Sequence, residues 1–154
     1  MPRGLRVLEF GGGISSRWWA ERGRVTTVEH NGEWAAKIRE MAPSATVLHR
    51  ETEGEYCVMP DGQFDVVVVD GEWREACWQK VLHARPPWII RDDVHDYLDR
   101  VVGEARHAGY LVIPFWGHNE SCWRPVCTLV AMRAEGTAQP NNSVRAALYP
   151  RRQG

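Results

Sequence analysis

Apolar and polar positions in this chain fall into blocks whose period switches between strand and helix, and the switches mark its elements. Leu5, Val7, Leu8 and Phe10 form a strand-like run that ends in three glycines, Gly11 to Gly13. A short helix follows, opening at Ser15 or Ser16, and a second apolar run over 24–29 ends in Glu29. Further strands are expected at 45–49, 64–70, 87–91, 110–116 and 126–133. The run Phe64-Asp-Val-Val-Val-Val-Asp70 is nearly continuous in β-branched residues, as expected of a central strand buried on both faces. Helical spacing lies between the strands. Asn31 can cap a helix whose stripe is Trp34, Ile38 and Met41, with Pro43 beyond its end. A second helix carries Trp73, Cys77, Val81 and Ala84, and a third carries Leu98, Val101, Val102 and Ala105 and stops near Gly109.

The alternation predicts an α/β protein with a Rossmann-like, doubly wound sheet of about seven strands, mostly parallel. The polar segment 50–63, with Pro60-Asp-Gly62, reads as a loop, and so does Gly117 to Pro125. A helix-free link of that length predicts an antiparallel last strand, because parallel neighbours need a crossover of a dozen or more residues. Residues 1–133 are expected to form the core and 134–154 a polar tail that is mobile or wraps the surface.

Composition narrows the function. A length of 154 residues suits one domain. The formal net charge of −1 supplies no basic field for nucleic acid. No apolar run approaches the roughly 18 residues of a membrane span. The N-terminus runs directly into a strand without a signal-peptide layout, so a cytoplasmic location is expected. Cys57, Cys77, Cys122 and Cys127 form no C-x-x-C pair and are expected to be reduced, mostly buried thiols. Most of the eight tryptophans are expected in the core. Trp18 and Trp19 are adjacent, so one of them faces away from it.

Strand, glycine turn, helix, strand and acid make up a mononucleotide-binding half-fold. Glycines let backbone approach a ligand where a Cβ would clash, and Glu29 can accept hydrogen bonds from both ribose hydroxyls. Gly11-x-Gly13-x-x-Ser16 lacks the third glycine of a dinucleotide site. Glu9 would repel a pyrophosphate and attract an ammonium or sulfonium.

Glu9-x-Gly11-x-Gly13 followed by Val28-Glu29-His30 resembles motif I and the next motif of class I S-adenosylmethionine-dependent methyltransferases. Asp70, Gly71, Arg74, Cys77, Asp92 or Asp93, Tyr97 and Thr128 match a pattern found in small bacterial members, over about residues 5–133. The Pro-Gly-Gly turn usual before strand five is replaced by Arg85-Pro-Pro-Trp88. Helices that precede strand one in many relatives have no counterpart in this sequence. The resemblance implies a final strand inserted antiparallel between strands five and six. It also implies S-adenosylmethionine bound by Glu9, Gly11, Gly12, Gly13, Ser16, Glu29, His30 and Asp70, and methyl transfer to a small molecule, most readily at oxygen.

Ligands of an open parallel sheet bind outside the carboxyl ends of its strands. Asp70, Asp92 and His95 are the catalytic candidates there. An imidazole at a helix start can take up a proton near neutral pH. Asp70, Asp92 and Asp93 also form a hard oxygen set suited to Mg²⁺ or Ca²⁺, with a helix-capping role for Asp93 as the competing reading. His30 stacks beside the adenosine or lies on the surface. His118 and Glu120 are placed to line an acceptor pocket, and Arg74 is expected in a structural ion pair. Two other functions stay open: a relative that binds the cofactor without turnover, and a nicotinamide-dependent oxidoreductase. Oligomeric state has no signal in the sequence.

Overall fold

The computed structural model describes residues 4–119 and 124–134. The expected tail beyond Ala134, together with Glu120 and Cys122, lies outside the described residues. Seven strands, β1 (Leu5–Phe10), β2 (Gly23–Glu29), β3 (Thr46–His49), β4 (Val66–Val69), β5 (Trp88–Arg91), β6 (Tyr110–Asn119) and β7 (Arg124–Arg133), form one sheet in the order β3-β2-β1-β4-β5-β7-β6. The pairings from β3 through β5 are parallel, and β7 runs antiparallel to both β5 and β6. The reversed strand therefore sits between strands five and six, as expected. Its residues alternate across the sheet: Cys127, Leu129 and Ala131 are buried, while Thr128, Val130 and Met132 are part-exposed.

Five helices connect the strands: α1 (Ile14–Ala20), α2 (Gly32–Met41), α3 (Glu53–Tyr56), α4 (Arg74–Ala84) and α5 (Leu98–His107), the last preceded by a 3₁₀ turn over His95–Tyr97. None of the described helices is long and apolar enough to cross a membrane. Asn31 caps α2 as expected, its Oδ1 accepting from the Trp34 N–H at 2.9 Å. Gly109, with φ +88°, ends the α5 segment.

Some local expectations are corrected. The segment 50–63 is not all loop, because Thr52 and Glu55 exchange capping bonds around the single turn of α3. The loop after β6 is narrower than expected, since pairing continues to Asn119 and Arg124. Trp73 is the left-handed cap of α4 (φ 45°), not part of its stripe, and Trp78 takes the buried place beside Cys77 and Val81. In α2, Ala35 and Ile38 are buried while Trp34 turns outward. Among the described tryptophans only Trp19 and Trp78 are buried. Of the rest, Trp34 lines the cleft, Trp73 packs on His30 and Tyr56, Trp18 lies on the outside of α1, and Trp88 and Trp116 stand on exposed strand faces. Trp18 and Trp19 divide as expected, one exposed and one buried.

Candidate active site

The parallel strands end together, and their connecting loops leave a cleft of about 530 Å³ lined by Gly11, Gly12, Glu29, His30, Asp70 and Gly71, among others. Two loops build its floor. The Asp70 and Gly71 amides both donate to the Phe10 carbonyl, at 2.9 and 2.7 Å, which draws the end of β4 onto the end of β1. Gly11 has φ +90°, and a Cβ there would strike the backbone of Gly71. A Cβ on Gly12 would lie 2.5 Å from Thr27 Oγ1 and 2.7 Å from Ile38 Cδ1. Gly13 is extended, and its nearest neighbour would be Trp34 Cζ2 at 4.0 Å. Gly11 and Gly12 thus serve the protein's own packing. Both also line the cleft.

Glu9 and Ser16 lie beneath this loop. Both are fully buried, and the Ser16 hydroxyl donates to Glu9 Oε2 while accepting from the Gly13 amide at 3.0 Å. Burial holds the Glu9 carboxyl above the usual carboxylate range, against the hydrogen bonds it receives. Neither residue lines the cleft. Through Ser16 the pair is bonded to the Gly13 amide and so to the loop above it.

Glu29 does reach the cleft. It is almost fully buried, and its Oε1 accepts from the Asn31 amide at 2.9 Å with His30 Nδ1 3.1 Å away. That contact orients the carboxylate at the tip of β2. His30 is half-exposed and stands edge-on to Trp73 (5.7 Å between ring centroids) and Tyr56 (6.3 Å), which themselves pack at 5.3 Å. Across the loop, Trp34 Nε1 donates to the Gly12 carbonyl at 2.7 Å. Tyr56, Trp73 and Trp34 were not among the expected site residues. The cap at Asn31 was the available signal for Trp34, since it sets the phase of α2. Trp73 had none, because its left-handed conformation is imposed by the turn after Gly71.

The acids converge as expected. One oxygen from each of Asp70, Asp92 and Asp93 lies within 4.8 Å of the others. Loss of water raises the Asp70 carboxyl to about 6, the neighbouring Asp92 adding to the rise and Arg74 opposing it. Arg74 lies 3.6 Å from Asp70 and 3.1 Å from Asp93, the ion pairing expected of it, and its Nε donates to the Gly71 carbonyl at 3.0 Å. Asp93 is not a helix cap. It has φ +53°, its carboxylate faces Arg74, and its carbonyl accepts from the Tyr97 hydroxyl at 2.9 Å. Asp92 Oδ1 accepts from the Thr128 hydroxyl, which ties β5 to β7. Each acid thus already has a partner, and Arg74 supplies the local positive charge. With those partners in place the set does not fit Mg²⁺ in this arrangement.

His95 stands in the 3₁₀ turn with Nε2 3.4 Å from Asp96 and a buried, unpartnered Nδ1. It is not among the residues lining the cleft. His118 is exposed on β6.

No family model matches the sequence. No curated protein matches it either. Solved structures do match. A precorrin-6y C5,15-methyltransferase from Geobacter metallireducens GS-15 superposes with a TM-score of 0.66 at 18% identity, over 87% of this chain and 82% of its own. N-methyltransferase NodS from Bradyrhizobium japonicum WM9, solved with S-adenosyl-l-homocysteine, gives 0.64 at 10% identity over 86% and 80%. The E. cuniculi Mtq2-Trm112 complex, which methylates the translation termination factor eRF1, gives 0.59 at 12% identity over 86% and 87%. With its strand order, reversed β7 and cleft at the parallel strand ends, the chain has the class I S-adenosylmethionine-dependent methyltransferase fold.

Proposed function

We propose that this protein is a cytoplasmic S-adenosylmethionine-dependent methyltransferase that methylates a small molecule at oxygen. The observation that carries the reading is the placement of Glu29 and Asp70 at the tips of β2 and β4, on either side of the Gly11–Gly12 turn in one cleft. The cofactor would supply an electrophilic methyl group on a sulfonium. Glu29, already oriented by the Asn31 amide, accepts the ribose hydroxyl protons. His30, with Trp73 behind it, offers a flat apolar wall to the adenine. The negative ends of Asp70 and Asp92 favour the cationic reactant. Asp70, poised at about 6, is half ionised near that pH and can take the proton of an attacking hydroxyl. This assigns the base to Asp70 in preference to His95. Alignment of the two reactants contributes the rest.

Calorimetry is the test. Saturable binding of S-adenosylhomocysteine, with none of NAD⁺, supports the cofactor, and the reverse result makes the chain an oxidoreductase. Turnover of S-adenosylmethionine with hydroxyl acceptors but not amines supports oxygen transfer. Tight cofactor binding with no turnover across acceptor classes makes the chain a cofactor-binding relative.

A further inference from the structure

We propose that Cys57 and Cys77 are a redox modification site, oxidised by a hydroperoxide to a disulfide that ties α3 to α4 behind the cleft. The two sulfurs are 3.1 Å apart, closer than two unbonded sulfurs ordinarily pack, although their residues are separated by 20 positions. Cys57 ends the single turn of α3, and Cys77 lies in the first turn of α4. Both are buried, Cys57 slightly nearer the surface. Nothing in the proposed methyl transfer uses either thiol.

The local architecture gives a route to reaction. A one-turn helix opens at low free-energy cost. The α3 turn is held on its outer side by its Thr52 cap and by Arg50 donating to the carbonyls of Glu55 (3.0 Å) and Val58 (2.6 Å), and on its inner side by Tyr56 packed in the core. Opening it exposes Cys57 first. The Cys57 thiolate attacks a peroxide oxygen; the O–O bond breaks, an alcohol or water leaves after taking the thiol proton, and Cys57 carries a sulfenic acid. The Cys77 sulfur then attacks Cys57, the S–O bond breaks, and the hydroxyl leaves as water with the Cys77 proton. Two thiols and one hydroperoxide thus give one disulfide, one alcohol (or water) and one water, the peroxide taking two electrons from the thiols. Burial raises both thiol pKa values, so the reaction waits on opening and speeds up with pH.

The consequence falls on the aromatic residues packed against His30, which lines the cleft. Tyr56 precedes Cys57, and the Cys57 thiol donates to the Trp73 carbonyl at 3.9 Å. The bridge would fix both aromatic residues that flank His30.

The experiment treats the reduced full chain with hydrogen peroxide, denatures it in alkylating agent and maps the peptides. Trypsin separates Cys57 (51–74) from Cys77 (75–80). The expected result is an intact mass lower by two hydrogens, two of four thiols protected, and a cross-link between those two peptides. A dithiol should reverse all three. The bridged form should melt about 5–10 °C higher. Cys122→Ser should leave the link intact. Four alkylatable thiols, a link to Cys122 or Cys127, or an unbridged sulfinic acid on Cys57 would each overturn the proposal, and none of these readings needs a variant to fold.

Discussion

The two flanks of the sheet are held in opposite ways. On the β1–α1–β2 flank the backbone is closely packed: Gly11 lies against the backbone of Gly71, Gly12 against the side chains of Thr27 and Ile38, and the buried Glu9–Ser16 pair props the loop from below. On the β6–β7 flank, ten residues pair in register, yet Leu111, Ile113, Phe115 and Trp116 are each more than half exposed. The first flank specifies atoms. The second specifies only a strand. Close packing makes a single methyl group intolerable where no neighbour can yield, and leaves side-chain identity nearly free where the face is open.

The largest expected effect breaks the first flank. Gly11→Ala combines a backbone clash with a left-handed φ and should cost more than about 3 kcal/mol, measured by urea unfolding. Gly13→Ala should cost under about 1 kcal/mol. Equal costs would show that the loop yields as a unit. Next is Glu29→Ala, expected to weaken S-adenosylhomocysteine binding by about 1.5–3 kcal/mol in calorimetry, because an acceptor of charge-assisted bonds is deleted. Unchanged affinity would remove Glu29 from the site.

A smaller effect sets two acids apart. The folded state raises Asp70 to about 6, so it binds that proton more tightly than the unfolded chain. Stability should fall as pH rises from about 4 to 6, by about 1 kcal/mol once screening at this half-exposed side chain is allowed for. Asp70→Asn should abolish that slope, raise Tm at pH 7 and cut methyl transfer at least about 100-fold. Glu75 has the opposite sign. Hydrogen bonds from Arg100 and Arg91 lower it to about 2, so its contribution is present above about 4.5 and lost as pH falls toward 2. Melting curves across pH 2–7 for wild type, Asp70→Asn and Glu75→Gln separate the two. The smallest effect belongs to the open flank: Ile113→Thr should change stability by no more than about 0.5 kcal/mol. A larger loss would mean that this face is covered in solution.

Much of this was legible in the chain. The β-branched run through Val66–Val69 marks a strand covered on both faces. The helix-free link before Val126 called for an antiparallel partner, and Glu29 at the end of an apolar run could only stand at the sheet edge. These features are periodic or terminal, and period and position along a strand are local properties of a sequence. Direction within a fully buried strand is not. Val7 to Phe10 are all buried, so no alternation shows which way Glu9 points, and only the placing of α1 over the sheet, with Ser16 turned inward, pairs it with Ser16 beneath the loop. The left-handed turns at Trp73 and Asp93 are likewise imposed by how β4 and β5 deliver the chain to the next helix, which placed Asp93 on Arg74 instead of on a helix end. Cys57 and Cys77 read separately as buried apolar positions. Their contact exists only because the end of α3 meets the first turn of α4, and distance between elements is set by the fold.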